Sequence, residues 1–304
     1  MTWIRYKVQK KQEYIANSGW QDVTPLVTRQ GEAIGEYDTE ELCYGGIKFK
    51  AYYNDGTYYT VGCNSSTTLT SEETRGHVFP GYGYKYGIMT MADIGDCVTE
   101  LGRYSFYQCS MLSGITIPSG VTLIDEDAFG FCSGLTEVTI PSNVTTIGNS
   151  AFILCLGLSS CTISNGVETI GNYSFDSCRS LTSITIPSSV TSIGSSAFLD
   201  CWSLTSCTIN NGVTSIGDDA FRGCSGLTSV VIPESVSYVG KFAFNDCSSL
   251  TSITFNSITP PTLAGPTVFN NTNNCPIYVP CQSLNAYKTA DNWRNYASRI
   301  TSIT

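Results

Sequence analysis

The chain is 304 residues long, enough for one or two ordinary domains, and its 41% apolar content with a mean hydropathy of +0.01 is sufficient for a core. Charged residues make up only 13%, and 25 acidic against 16 basic residues leave a net charge of −9. Phosphate binding needs clustered Lys and Arg to displace counterions, so nucleic acid is excluded as a partner, and no apolar run approaches the ~20 residues that cross a bilayer, so no membrane insertion is expected.

Residues 1–85 differ in period and composition from residues 86–304 and are predicted to form a small antiparallel β module for attachment. The opening stretch from Met1 to Lys11 lacks the apolar segment of a secretory signal, so the chain is expected to stay where it is made. Ile4, Tyr6 and Val8 alternate as a strand does, and Asn17-Ser18-Gly19 reads as a turn before Trp20. Asp55-Gly56, set between two apolar runs, predicts a hairpin of Ile47–Tyr53 with Tyr58–Val61. The Gly- and Tyr-rich stretch 81–87 reads as a linker. His77, the single histidine, lies near this boundary with no nucleophile motif beside it, so no Ser-His-Asp or Cys-His centre is expected.

From residue 86 one period takes over. Phe106, Phe129, Phe152, Phe175, Phe198, Phe221 and Phe244 stand 23 residues apart, each followed three positions later by Cys109, Cys132, Cys155, Cys178, Cys201, Cys224 or Cys247. A fixed period of this size predicts a solenoid whose coils bury their apolar edges only against neighbouring coils. Each coil reads Phe-x-x-Cys-x-x-Leu-x-x-Ile-x-Ile-Pro-x-x-Val-x-x-Ile-Gly-x-x-Ala. Leu-x-x-Ile-x-Ile ends in the period-two alternation of a short strand, which Pro stops because it has no N–H to give a ladder. Ile-Gly supplies a second apolar anchor and a corner, and Ala-Phe-x-x-Cys-x-x-Leu is predicted as a helical turn or two. The fold class is thus an α/β repeat solenoid with a parallel β ladder, covering 86–255. About eight coils at ~4.8 Å each make a stack roughly 40 Å long.

Pro260-Pro261 breaks the period, and Phe269 with Ile277-Tyr278-Val279-Pro280 imitates one degenerate coil. Leu284, Tyr287, Trp293, Tyr296 and Ile300 come next on one or two short helices, so 256–304 is predicted to be the cap that shields the open apolar end.

Fourteen cysteines raise the question of disulfides or zinc, but with a single histidine, no Cys-x-x-Cys and one cysteine per coil, the column reads as small buried hydrophobes. Cys161 and Cys207 replace Ile or Val at another core position, in keeping with that reading. The sequence leaves open whether Cys43 bridges Cys63 or Cys275 bridges Cys281.

Candidate surfaces lie outside these columns. On the solvent side of the strand runs a ladder of hydroxyls: Ser113, Gly114 and Thr116; Thr136, Glu137 and Thr139; Ser159, Ser160 and Thr162; and so on to Thr251, Ser252 and Thr254. It could hydrogen-bond a glycan, yet a solvated strand also favours Thr and a uniform face discriminates poorly. Greater variety lies between Gly and Phe and just after Cys, where Arg103, Tyr104, Tyr107, Phe131, Tyr173, Trp202, Arg222 and Phe242 are candidate binding residues of the kind recognition surfaces use, with Trp202 and Tyr173 first because they sit in consecutive coils. The acidic steps Asp125-Glu126-Asp127 and Asp218-Asp219 lack the oxygen-rich loop that calcium requires. No cofactor, metal or catalytic residue is expected.

The coil pattern from Met89 to Phe255 resembles the BspA-like, Treponema-type leucine-rich repeat, and Ile277 to Ala297 is similar to the C-terminal end seen in that family. The resemblance implies a curved, non-enzymatic solenoid of bacterial surface proteins that adhere to host proteins or to other cells. Ile47-Lys48-Phe49-Lys50-Ala51 and Thr67-Thr68-Leu69-Thr70, joined directly to Ile94-Gly95-Asp96-Cys97-Val98-Thr99, resemble leader segments of repeat proteins encoded by phages of gut bacteria. These likenesses lead to the expectation of a tail-associated virion component. It would dock on other virion proteins through 1–85 and touch a protein or glycan on a cell surface through the solenoid, with a homo-oligomer possible. A bacterial surface or secreted adhesin, and a decorating virion protein, are the alternatives.

Overall fold

The computed structural model describes residues 6–10, 47–53, 57–62, 68–70 and 89–303. Expectations for Asn17 to Trp20, Cys43, Cys63, His77 and the 81–87 linker lie outside the described residues.

Each coil has three sides. The first is the Leu-x-x-Ile-x-Ile strand, seen as Glu137–Ile140, Ser160–Ile163, Ser183–Ile186, Ser206–Ile209, Ser229–Ile232 and Ser252–Phe255, paired in parallel at a 23-residue register. Burial alternates along these strands, so both Ile positions point inward while the intervening hydroxyl residues face solvent. Pro187 then ends its strand, and its carbonyl accepts the Val190 N–H at 3.2 Å to close the corner. Where Pro is missing the corner is built differently. Gly166 and Gly212 adopt φ near +131° and +130°, a conformation open to glycine.

The second side is a two-residue strand on Val-x-x-Ile, such as Thr146–Ile147 or Ser192–Ile193, and these stack into a parallel sheet of their own. The glycine after it is required by proximity. A Cβ on Gly194 would lie 2.5 Å from the carbonyl carbon of Gly171 in the preceding coil, so the backbones touch where a side chain would stand.

The third side carries Ala, Phe and Cys. The helical turns expected there take the form of single turns, because hydrogen bonds alternate in direction. Tyr173, Phe175 and Ser177 donate to Ser195, Ala197 and Leu199 of the next coil, while Asp176 and Cys178 donate back to Tyr173 and Phe175. Two residues per coil adopt positive φ, for example Tyr173 at 55° and Ser177 at 58°, and this interrupts any right-handed helix.

The Phe, Cys, Leu, Ile, Val and Ala positions form buried columns. Phe106 through Phe244 stack with centroids 5.0 to 5.3 Å apart and ring planes within 8° of parallel. Each buried ring contributes about 1.5–3 kcal/mol by leaving water, and each offset-stacked pair about 0.5–1.5 kcal/mol more.

Aromatic residues close both ends of the column. At the front, Ile47–Tyr53 pairs antiparallel with Thr57–Gly62, as its turn signal predicts, and also with Met89–Ile94, so the hairpin continues the main sheet. This sets Phe49 edge-on over Phe106 at 5.7 Å. Tyr6–Lys10 adds a further antiparallel strand, and Thr68–Leu69 extends the second sheet beside Glu100–Leu101. At the back, Phe269 takes the next place in the column, and Phe255, Tyr287, Trp293 and Tyr296 pack around it. Trp293 donates its indole N–H to the Pro261 carbonyl at 2.7 Å, and the Arg299 guanidinium donates to the Phe269 and Cys275 carbonyls and to Thr272. Polar tips are thereby satisfied inside an apolar plug.

The cysteine column is more specific than a row of hydrophobes. Cys132, Cys155, Cys178, Cys201, Cys224 and Cys247 each donate S–H to the phenylalanine carbonyl of the preceding coil, at 3.0 to 3.3 Å. Cys275 and Cys281 are both free, so that pair is not bridged. Cys97, which the sequence offered no reason to pair, is disulfide-bonded.

Candidate functional site

The third side gathers every candidate binding residue, and four of them, Tyr104, Phe131, Tyr173 and Phe242, sit at left-handed positions. Tyr104, Tyr173 and Phe242 occupy one such column, at φ of 59°, 55° and 55°, and Phe131 another at 62°. Neighbouring coils put Asp127, Ser150, Ser196 and Asp219 in the first column and Ser177, Asp200 and Asp246 in the second, mostly short polar residues. The left-handed conformation costs a bulky side chain about 1–2 kcal/mol. Leu154, at 56°, is another bulky side chain held in this conformation.

These residues fall into three groups. At the front, Tyr107 bridges Tyr104 at 5.3 Å and Phe131 at 5.2 Å, both edge to face, and Arg103 lies 5.0 Å over the Tyr104 ring while bonding Glu126 at 2.7 Å. In the middle, the Arg179 guanidinium sits 4.1 Å over the Trp202 indole. Toward the back, Arg222 lies 5.7 Å from Phe242 and is flanked by Asp219 at 3.1 Å and Asp246 at 3.9 Å. Tyr173 joins none of these three groups and stands 45% exposed.

Arg179 was not singled out by the sequence, although it lies one 23-residue period before Trp202 and so had to neighbour it. Leu156 lies one further period back and is exposed as well, so Leu156, Arg179 and Trp202 form one column across three coils. Acidic groups on this side include Asp127 and Asp176, whose carboxyls are pushed up from their ordinary value chiefly by burial, with Glu126 and Asp200 respectively adding repulsion. Asp125 accepts the Glu126 N–H and Asp218 the Lys241 N–H, so these acids serve the corners. Among the described residues no cluster of His, Cys, Asp and Glu is arranged to hold a metal ion.

The hydroxyl ladder divides in two. Ser113, Thr136, Ser159, Thr182, Thr205, Thr228 and Thr251 each donate to the backbone carbonyl of the residue 23 places earlier, which commits that column to holding coils together. The columns through Ser183 and Thr185 are exposed.

The BspA type leucine rich repeat region matches in six copies, over residues 82–158, 99–228 and 147–276. A leucine rich repeat protein of T. pallidum is 32% identical over 53% of this chain and 78% of its own, with a TM-score of 0.51. A leucine rich cell surface protein from Faecalibacterium prausnitzii is 22% identical over 90% of this chain and 95% of its own, with a TM-score of 0.38. A leucine-rich repeat protein from Bacteroides ovatus is 21% identical over 71% and 84%, with a TM-score of 0.28. No curated protein matches the chain. Six copies of one repeat, stacked so that their Phe, Cys, Leu and Ile columns form a single core, mean that the chain belongs to the BspA type leucine rich repeat family.

Proposed function

We propose that this chain is a non-catalytic recognition protein whose turn side grips a protein or glycan on a cell surface. The observation that carries the reading is Trp202, 47% exposed with the Arg179 guanidinium over its face. An exposed indole already paired with a cation offers apolar area and hydrogen-bond donors together, the combination that dominates binding hot spots. Coils built from buried columns and backbone ladders supply a stiff frame for such a patch. Membership of the BspA type family, whose resemblance implies bacterial surface proteins, supports the same reading.

Within this reading we place the chain on a phage tail, docked through 1–85 on other virion proteins. Support for this comes from the likeness of 47–51 and 67–70, joined to 94–99, to phage-encoded leader segments. A bacterial surface adhesin is the alternative, and a decorating virion protein a third. Electron microscopy of the source particle separates them, since density on a tail favours the first and cell-envelope fractionation the second. The recognition role is tested by binding of the full chain to bacterial cells and to purified surface glycoproteins. Trp202→Ala should weaken binding about tenfold with no change in melting temperature. Undiminished binding would overturn the assignment to the turn side.

A further inference from the structure

The main sheet is not uniform. Glu137–Ile140 pairs with Ser160–Ile163 along four residues, but Gly114–Thr116 meets Glu137–Ile140 at Gly114 and Glu137 alone. A single pair, Ser160 with Ser183, likewise joins Ser160–Ile163 to Ser183–Ile186. A pocket of about 390 Å³ lies beside the Gly114–Glu137 pair, lined by Ile115, Ile117, Val138 and Pro141, of which Ile115 and Pro141 are half-buried, and rimmed by Thr116, Glu137, Thr139, Ser160 and Thr162. That size falls within the ~300–1,000 Å³ of small-ligand sites.

Two residues depart from the repeat here. Glu137 stands in a column otherwise filled by Ser160, Ser183, Ser206, Ser229 and Ser252, and next to it Gly114 has no side chain at all. A Cβ on Gly114 would meet nothing within 4 Å, so the glycine is a notch open to solvent and not a packing requirement. The rim hydroxyls of Thr116, Thr139, Ser160 and Thr162 also differ from the adjacent ladder, in which Ser113, Thr136 and Ser159 donate to backbone carbonyls. The four rim hydroxyls face the pocket without a partner among the described residues, and among those residues Glu137 enters no ion pair.

We infer that this pocket is a saccharide subsite, separate from the turn side. Hydroxyls both donate and accept, a carboxylate accepts two bonds in fixed directions, and an apolar floor takes the C–H face of a sugar ring. A sugar presents that alternation of vicinal hydroxyls and C–H groups. The chain's overall negative charge and the pocket's single carboxylate favour neutral or amino sugars over acidic ones.

The test is titration of the full chain, by saturation-transfer NMR and calorimetry, with neutral hexose and N-acetylhexosamine oligosaccharides. Free oligosaccharides and the same sugars displayed on a glycoprotein separate soluble from surface-bound sources. Two variants keep the fold out of the question, since Glu137→Ser restores the residue of neighbouring coils and Gly114→Thr fills open space. Binding that falls about tenfold or more in both, and is unchanged in Trp202→Ala, supports the inference. No binding by any sugar of the panel, or binding that survives both variants, overturns it. Saccharide binding lost in Trp202→Ala alone would assign the sugar to the turn side, ending this inference and leaving the proposed function intact.

Discussion

The Cys201 thiol donates to the Phe175 carbonyl at 3.2 Å, and that carbonyl also accepts the Cys178 N–H at 3.2 Å. The thiol therefore adds a second bond to an oxygen already satisfied, and it does so only while it keeps its proton.

Alkaline conditions should undo the stack. Burial pushes Cys161 and Cys207 up to about 12 from an ordinary 9.0, and the thiols of Cys132, Cys155, Cys178, Cys201, Cys224 and Cys247 rise for the same leading cause. In the unfolded chain these groups ionise near their ordinary value, whereas in the folded chain they stay neutral. Above pH 9.0 the unfolded state thus binds fewer protons, and stability falls as pH rises toward 12. Each such thiol contributes about 1.4 kcal/mol per pH unit once ionised in the unfolded state. Urea midpoints should be level from about pH 7 to 8 and drop steeply by about pH 10.5. A level midpoint across that range would contradict the buried, proton-bearing column.

Gly194→Ala should be far worse than Gly114→Ala. The first places a methyl 2.5 Å from the Gly171 carbonyl carbon, against backbone that cannot swing aside, and the second meets nothing within 4 Å. The expected losses are about 3 kcal/mol for Gly194 and under about 0.5 kcal/mol for Gly114, read from chemical denaturation. Equal losses would mean that the coils do not approach at this corner.

Ser174→Ala should stabilise. Ser174 takes the place held by Ala151 and Ala197 in the adjoining coils, is fully buried, and its hydroxyl has no partner among the described residues. Removing a desolvated, unbonded hydroxyl should gain about 1 kcal/mol, visible as a higher melting temperature. A lower one would reveal a partner for the hydroxyl.

Tyr173→Asn should separate stability from recognition. Asn tolerates the left-handed φ of 55° that the tyrosine endures, so the variant should gain about 1 kcal/mol. If Tyr173 is kept for contact, binding to cells falls in the same variant. Gain in both properties would show the tyrosine to be incidental.

The internal columns were legible because a strict period fixes which residues stack, and Phe269 could be followed past the break by its place before a strand pattern. Phe49 could not. It enters the column from an antiparallel strand, outside the 23-residue register, and only the pairing of Phe49 with Ile94 brings it over Phe106. The alternating left-handed residues were not legible as a pattern, although Asp127, Ser150, Asp200 and Asp219 at those places were a usable signal. The candidate aromatics were identifiable by type, yet their grouping was not, since contact with Arg179 depends on which side chains lean toward the neighbouring coil. The pocket beside Glu137 gathers residues of three coils, and only Gly114 and Glu137, departing from the serine column, hinted at it.

Phe198 lies over Phe175 at the same 5.2 Å that separates Phe175 from Phe152. Successive seams are therefore interchangeable, and excising one or more whole units would rejoin surfaces that already match, whereas removing a number of residues that is not a multiple of 23 would put the columns out of register. The molecule can change length in quanta. Its reach becomes adjustable by recombination between near-identical segments, without redesign of either end.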